Sequence, residues 1–471
     1  MYDLLLKGGR LIDPVNHIDG TFDIACADGV VVEVAEEINE SVARKTLDAT
    51  GKTVMPGIID MHTHMRTVLG HPHAQRMVAL AGVTTTLDMA GPLDNILDSI
   101  PTSGAGINIA VLEAARFPQT ISSNRPDACQ RMSLIEQTLE RGGIGIKLLG
   151  GHFPMDLDIC EGFIDQCNEA RAWIGWHAGN SENGSNIEGF RDAVRAAEGK
   201  FLHIAHVNSY CRSQISNEVD EALEAIELLK ANPNIFSESY LSPLNGTRLT
   251  IGDDGAPASK VTVTCLKKKG YTPDLEGMKQ AILDGWVGVL CDNGVIGELK
   301  TGAEALDYWI EHKTVTVGSF AVNPAASRFL LAQAKRNDGS FVVDSFSTDG
   351  GSYPRNVIVE NGLPLVRFGA LSMRDFVVKA SVNGARALGL PQKGHLGVGA
   401  DADITVLDTE KMKAYAGIVA GNVIMLDGKL CGKGTTIICD ERGEGYLKSR
   451  GIACCIKKPL DQTAISARFV P

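Results

Sequence analysis

The chain is predicted to be an α/β protein: a (β/α)8 TIM-like barrel with a small β-sandwich module formed by both chain ends. Three observations predict this. From Gly57 onward, eight short apolar runs have strand length: Ile58–His64, Thr84–Met89, Asn108–Leu112, Gly145–Leu149, Ala172–His177, Leu202–Val207, Ile235–Tyr240 and Phe341–Phe346. Amphipathic segments such as Cys129–Glu140 and Val219–Lys230 lie between most of them, as a parallel sheet requires. The first 55 residues, and the stretch after Pro391, instead read as short strands separated by turn residues such as Asp28-Gly29.

These patterns divide the chain. Residues 1–56 and 391–436 are expected to form the composite β module, and residues 57–390 the barrel. The stretch 244–337 is too long for one loop and helix. It should be an insertion between the last two strands, with helices at Leu275–Leu283 and Ala303–Glu311. Residues 437–471 read as a tail of undefined structure.

Composition narrows the function. With 471 residues and 44% hydrophobic content, the chain can bury a large core. A net charge of −12 argues against a nucleic-acid partner, which needs a basic face. No apolar run reaches the ~18 residues of a membrane helix, and the N-terminus lacks the pattern of a secretory leader. The expected setting is cytoplasmic, without a membrane partner. Eleven cysteines, with no Cys-x-x-Cys pair, read as free thiols and not as a disulfide framework or a zinc ribbon.

The chemistry gathers at strand ends. In Asp60-Met61-His62-Thr63-His64, His62 and His64 are two apart and share a strand face. They point into the barrel near its C-terminal mouth, where barrel enzymes place their sites, and two imidazoles at that spacing can clamp a metal. His177 and His206 end the fifth and sixth strands, and Asp349 follows the eighth, facing the same mouth. Each alone could be a structural residue. Four histidines on three strand ends are harder to explain that way. His203 has the opposite parity to His206 and is set aside. Lys147 lies inside the apolar fourth strand, where an ammonium is costly unless it is paired, chemically changed or directed outward.

Gly57-Ile58-Ile59-Asp60-Met61-His62-Thr63-His64 resembles the first-strand motif of the amidohydrolase superfamily. Residues 394–404 resemble that family's return into its β module, and residues 381–389 the helix before it. The resemblance implies a metal-dependent hydrolase acting on carbon–nitrogen bonds other than ordinary peptide bonds. It implies that His62, His64 and Asp349 hold one metal and His177 and His206 a second. Lys147, carboxylated by CO2, would bridge the two. Zinc is the expected metal, with manganese, iron or cobalt as alternatives. Asp349 would act as base and then as acid. The family is also compatible with a homo-oligomer.

Arg66 extends the motif to His-x-His-x-Arg, which resembles the dihydroorotase form, where the arginine grips a substrate carboxylate. Asp88-Met89-Ala90-Gly91-Pro92 departs from the Met-Pro-Asn usual there. Tyr240, Ser242, Asn245 and Arg248 follow the seventh strand, and Tyr210 and Arg212 follow His206. Of these, Tyr240, Asn245 and Arg248 are expected, with Arg66, to line a substrate pocket. The expected substrate is a small carboxylate-bearing cyclic amide or imide, as for dihydroorotases and hydantoinases. Three alternatives stand beside it: an N-acyl-D-amino-acid deacylase, suggested by the insertion; a mononuclear deaminase, with Glu182 as its nearest proton shuttle; and a metal-free scaffold homologue.

Overall fold

The structure, a computed structural model, describes residues 1–65, 73–461 and 465–471. Arg66, the expected carboxylate ligand, lies outside the described residues.

The eight expected strand positions pair in parallel in chain order, with the eighth displaced from Phe341–Phe346 to later residues. Ile58–His64 is followed by Val83–Ala90, Ala105–Ala114, Gly145–Leu149, Trp173–His177, Leu202–Ile204 and Ile235–Tyr240. The eighth position is shared by two pieces. Ser345–Ser347 pairs with the seventh strand, and Gly350–Gly351 pairs back onto the first. The barrel therefore closes through a break at Thr348 and Asp349, and that break puts Asp349 at the mouth. Gly351 is needed at the seam: its φ is +73°, and a Cβ there would lie 2.4 Å from the His64 carbonyl oxygen.

The inward and helix-facing side chains form the main core, with Trp173, Trp176, Phe163, Phe190 and Phe201 among its largest fully buried members. Burying each such side chain contributes about 1.5–3 kcal/mol against a large entropic cost.

The two chain ends form one mostly antiparallel nine-stranded sheet. Its seam is the pairing of Thr53–Pro56 with Ile404–Asp408. The face around Leu6, Leu11, Ile24, Val54, Ile404 and Ile418 encloses a separate apolar core. Lys393 is buried beside this module and bonds both Asp401 and Asp403 at 2.8 and 2.6 Å.

The insertion contains the two expected helices, Leu275–Leu283 and Gly302–Glu311. It also contains a four-stranded antiparallel sheet ordered Asn245–Arg248, Val317–Phe320, Val287–Asp292, Gly297–Lys300. Its own core holds Leu249, Met278, Val289, Trp309 and Phe320. The tail is ordered too. Gly434–Cys439, which crosses the expected boundary at 436, runs parallel to the N-terminal half of the third barrel strand. Helix Glu441–Ser449 then leads to strand Ala453–Ile456, which pairs beside it. No described helix is long and apolar enough to cross a membrane.

Candidate metal centre

The first strand places both of its histidines where alternation predicts. His62 is buried and His64 half-buried, and both approach one oxygen of Asp349. His64 Nε2 lies 2.9 Å from Asp349 Oδ1, and His62 Nε2 lies 3.4 Å from the same atom. The three ligand atoms lie within 4.8 Å of one another. Asp349 has a φ of 50° and His206 a φ of 35°. Such left-handed backbone at non-glycine residues costs of order 1–3 kcal/mol and clusters at functional sites.

The fifth and sixth strands supply a second pair. His206 Nε2 faces His177 Nδ1 at 2.9 Å, and His177 Nε2 meets Ser185 Oγ at 2.8 Å. The His177 ring leaves no room beside Gly151, where a Cβ would lie 2.2 Å from its Nε2. The pairs are adjacent, since the His62 and His206 rings stack with centroids 5.0 Å apart.

Lys147 is 1% exposed. Its charge acts on His62, His177 and His206, and it in turn feels Glu238, Asp349 and Asp88. Its Nζ lies 3.9 Å from Met89 Sδ, and its charge reaches members of both pairs. Burial pushes its ammonium well down from the ordinary lysine range, against the pull of these carboxylates.

Glu238, in the seventh strand, was not expected. Its Oε1 meets His62 Nδ1 at 2.7 Å and accepts the His206 backbone N–H at 2.6 Å, while Ser347 Oγ donates to Oε2. One carboxylate thus ties together the first, sixth and eighth strands. Burial pushes it up from the ordinary glutamate range. A signal was present: a carboxylate inside Ile235–Tyr240 is as costly as Lys147 in its own strand. His203 also points toward this carboxylate, with Nε2 3.8 Å from Oε1. The alternation that set it aside fails because the backbone turns left-handed at His206.

Arg355 carried no sequence signal, whereas Asp60, on the same strand face as His62 and His64, carried the same one as Glu238. Arg355, 2% exposed, pairs its Nη2 with Asp349 Oδ2 at 2.7 Å and donates from Nε to the Asp349 carbonyl at 2.6 Å. This guanidinium, with the hydrogen bond from His64, holds the Asp349 carboxyl well below the usual range although burial pushes the other way. Asp60 accepts Thr348 Oγ1 at 2.5 Å, and burial raises it to about 7.

The donor set fits metal. Burial keeps His62, His177 and His206 well below the ordinary imidazole range, so they are neutral and offer lone pairs. With Nδ1–H given to Glu238, His62 turns its Nε2 lone pair toward the Asp349 carboxylate, a repulsive arrangement that a cation between them relieves. A carboxylate behind a ligating imidazole is the usual way to fix its tautomer.

The substrate candidates divide. Tyr240 is buried, with its OH 2.8 Å from Arg212 Nη2, and Asn245 Oδ1 accepts from the same nitrogen at 3.1 Å. Arg248 is exposed on the insertion's first strand. Tyr210 OH holds the Ala178 N–H at 2.7 Å, a bracing contact behind His177. Glu182 is exposed in the loop after His177.

Residues 311–430, which include Asp349 but none of the four histidines, match the family model described as the amidohydrolase family. A dihydroorotase of Elusimicrobium minutum is 25% identical over 88% of this chain and 89% of its own. The N-acyl-D-glutamate deacylase of Bordetella bronchiseptica, solved with zinc and a phosphonate inhibitor, superposes with a TM-score of 0.65 at 16% identity. That match covers 93% of this chain and 99% of the deacylase. A D-hydantoinase superposes with a TM-score of 0.60 at 17% identity, covering 92% and 98% of the two chains.

Proposed function

We propose that this chain, a member of the amidohydrolase superfamily and an enzyme acting on carbon–nitrogen bonds other than peptide bonds, opens a cyclic amide or imide of a small carboxylate-bearing substrate. The observation that carries the reading is the convergence of His62, His64 and Asp349 beside His177 and His206, with the buried Lys147 near enough for its charge to act on both pairs. The dihydroorotase relative supports the cyclic-amide class.

His62, His64 and Asp349 would hold one metal ion, and His177 and His206 the other. Lys147, as its CO2 adduct, would lie between. In that form a buried cation becomes an anionic ligand, whose desolvation cost bound metal would offset. When bound, such ions lower the pKa of water to near ~7 and polarise a carbonyl. The protein's own work is positional and acid–base. Glu238 fixes the His62 ring. Arg355 occupies Asp349 Oδ2, which leaves Oδ1 as the oxygen facing the cluster. Asp349 takes the proton of the attacking water at Oδ1 and returns it to the ring nitrogen as the C–N bond breaks, so that the nitrogen is released as a neutral N–H group and not as an anion. The barrel (57–390) carries this chemistry, the module (1–56 with 391–436) braces it, and the insertion (244–337) shapes one side of the mouth.

Removal of an N-acyl group from an amino acid is the second reading. It is favoured by the insertion bringing Asn245 to the mouth beside Tyr240. A deaminase fits less well, because Glu182 is exposed. A metal-free scaffold would have no use for a complete ligand set.

The test is metal analysis of protein grown with zinc and bicarbonate, with hydrolysis assays on dihydroorotate, hydantoins and N-acetyl amino acids. Two metals per chain and ring opening are expected. Asp349→Asn should lower kcat by roughly 10^2–10^4-fold while metal is retained. Near-normal turnover in that variant removes Asp349 from proton transfer.

A further inference from the structure

Arg212 follows the turn that begins at His206, where the Ser209 N–H bonds the His206 carbonyl at 2.7 Å. It is half-buried and held by four side chains. Its Nε donates to Asn323 Oδ1 at 2.7 Å, and its Nη2 reaches Tyr240 OH at 2.8 Å, Ser209 Oγ at 2.9 Å and Asn245 Oδ1 at 3.1 Å. Two of these partners come from the barrel mouth and two from the insertion.

Every one of those oxygens is neutral, and among the described residues no carboxylate pairs with this guanidinium. Other buried or half-buried arginines use their groups differently. Arg355 and Arg468 pair with Asp349 and Asp344, and Arg328 and Arg336 cap backbone carbonyls. Arg212 is instead oriented by side chains, with its charge unspent in a chain of net charge −12. The site is close, since the Tyr240 ring lies 6.3 Å from the His206 ring and the Arg212 charge acts on His206. A tie between barrel and insertion needs donors but no charge. A fixed planar fork of positive charge suits a carboxylate.

We propose that Arg212 anchors the substrate's carboxylate, gripping it where the insertion meets the turn after the sixth strand. This makes the insertion a specificity element, because Asn245 and Asn323 set the plane of the guanidinium. The inference rests on the reading of a carboxylate-bearing substrate.

The experiment is calorimetry of metal-loaded protein with orotate and with uracil, two flat rings that differ by the carboxylate. Wild type should prefer orotate by roughly 10- to 100-fold. Arg212→Met should erase that preference and leave uracil binding intact, and Arg212→Lys should retain part of it. Asn323→Asp, which gives the guanidinium an internal anion, should weaken orotate alone, so the test survives if Arg212→Met misfolds. The proposal is overturned by a wild type without the preference, by a preference that persists in Arg212→Met and Asn323→Asp, or by one that Arg66→Met alone abolishes. Failure of the underlying reading looks different: none of the cyclic amides or N-acyl amino acids is hydrolysed, whatever orotate binding shows.

Discussion

Lys147 and Lys379 are both 1% exposed, and burial pushes both ammonium groups down from the ordinary lysine range. Their surroundings differ. Lys379, on the last barrel helix, donates to the Val343 carbonyl at 2.5 Å and sits over the rings of Phe341 and Phe346, 4.4 and 5.1 Å from their centroids. A carbonyl and two aromatic faces are a complete, if strained, accommodation of a buried amine. Lys147 has no such berth. Its hydrogen-bonding neighbour among the described residues is Met89 Sδ at 3.9 Å, and it stands amid carboxylates and imidazoles. Burial alone does not mark a functional lysine. What separates the two is whether the fold supplies an answer to the desolvation, or leaves it to a ligand or a modification.

The comparison breaks most sharply at Lys147. Lys147→Met should cost on the order of 10^3-fold in kcat/KM and at least one metal per chain, while stability in urea holds or rises. Intact-mass analysis of native protein should show one added CO2, released in acid. A Lys147→Met enzyme that keeps two metals and its rate would put Lys147 in the same class as Lys379.

A smaller effect is expected at Glu238, which acts through His62. Glu238→Gln should weaken metal binding by roughly 10- to 100-fold, read by equilibrium dialysis. Unchanged affinity would reduce Glu238 to a strand tie.

The smallest effect on activity belongs to Lys379, whose contribution is to stability. Its folded-state pKa is about 7 against an ordinary 10.5. Between those values the unfolded chain holds a proton that the folded chain has released, so stability rises with pH there, by at most about 1.4 kcal/mol per pH unit. It is lost again as pH falls toward 7. Lys379→Met should lessen the rise in urea midpoints measured from pH 7 to 10, with Lys147 supplying part of what remains, and leave turnover unchanged. An undiminished slope would show that another group carries it.

Much of this was legible in the sequence because strand alternation and the barrel mouth are strong constraints. His62 and His64 follow from a two-residue spacing, and His177, His206 and Asp349 from their places at strand ends. The rest is hidden where a local rule is broken or a partner is remote in sequence. His203 was set aside by a parity that the left-handed turn at His206 cancels. Arg355 reads as a loop arginine until the chain folds it onto Asp349. The insertion's edge strands, Asn245–Arg248 and Gly297–Lys300, are four residues long and carry charges, so no periodicity announces them.

The strand Gly434–Cys439 has a consequence for how the molecule is made. The third barrel strand is shared along its length. Its first half pairs with this late segment, while its end pairs with the fourth strand. A chain emerging in order from the ribosome can lay down all eight barrel strands and still present an open row of backbone N–H and C=O groups at that position until the late segment arrives. Such an unpaired edge is a template for association with other chains. The residues that close it lie far from the metal ligands, so shortening the chain before Gly434 is a route to aggregation that leaves every ligand in place.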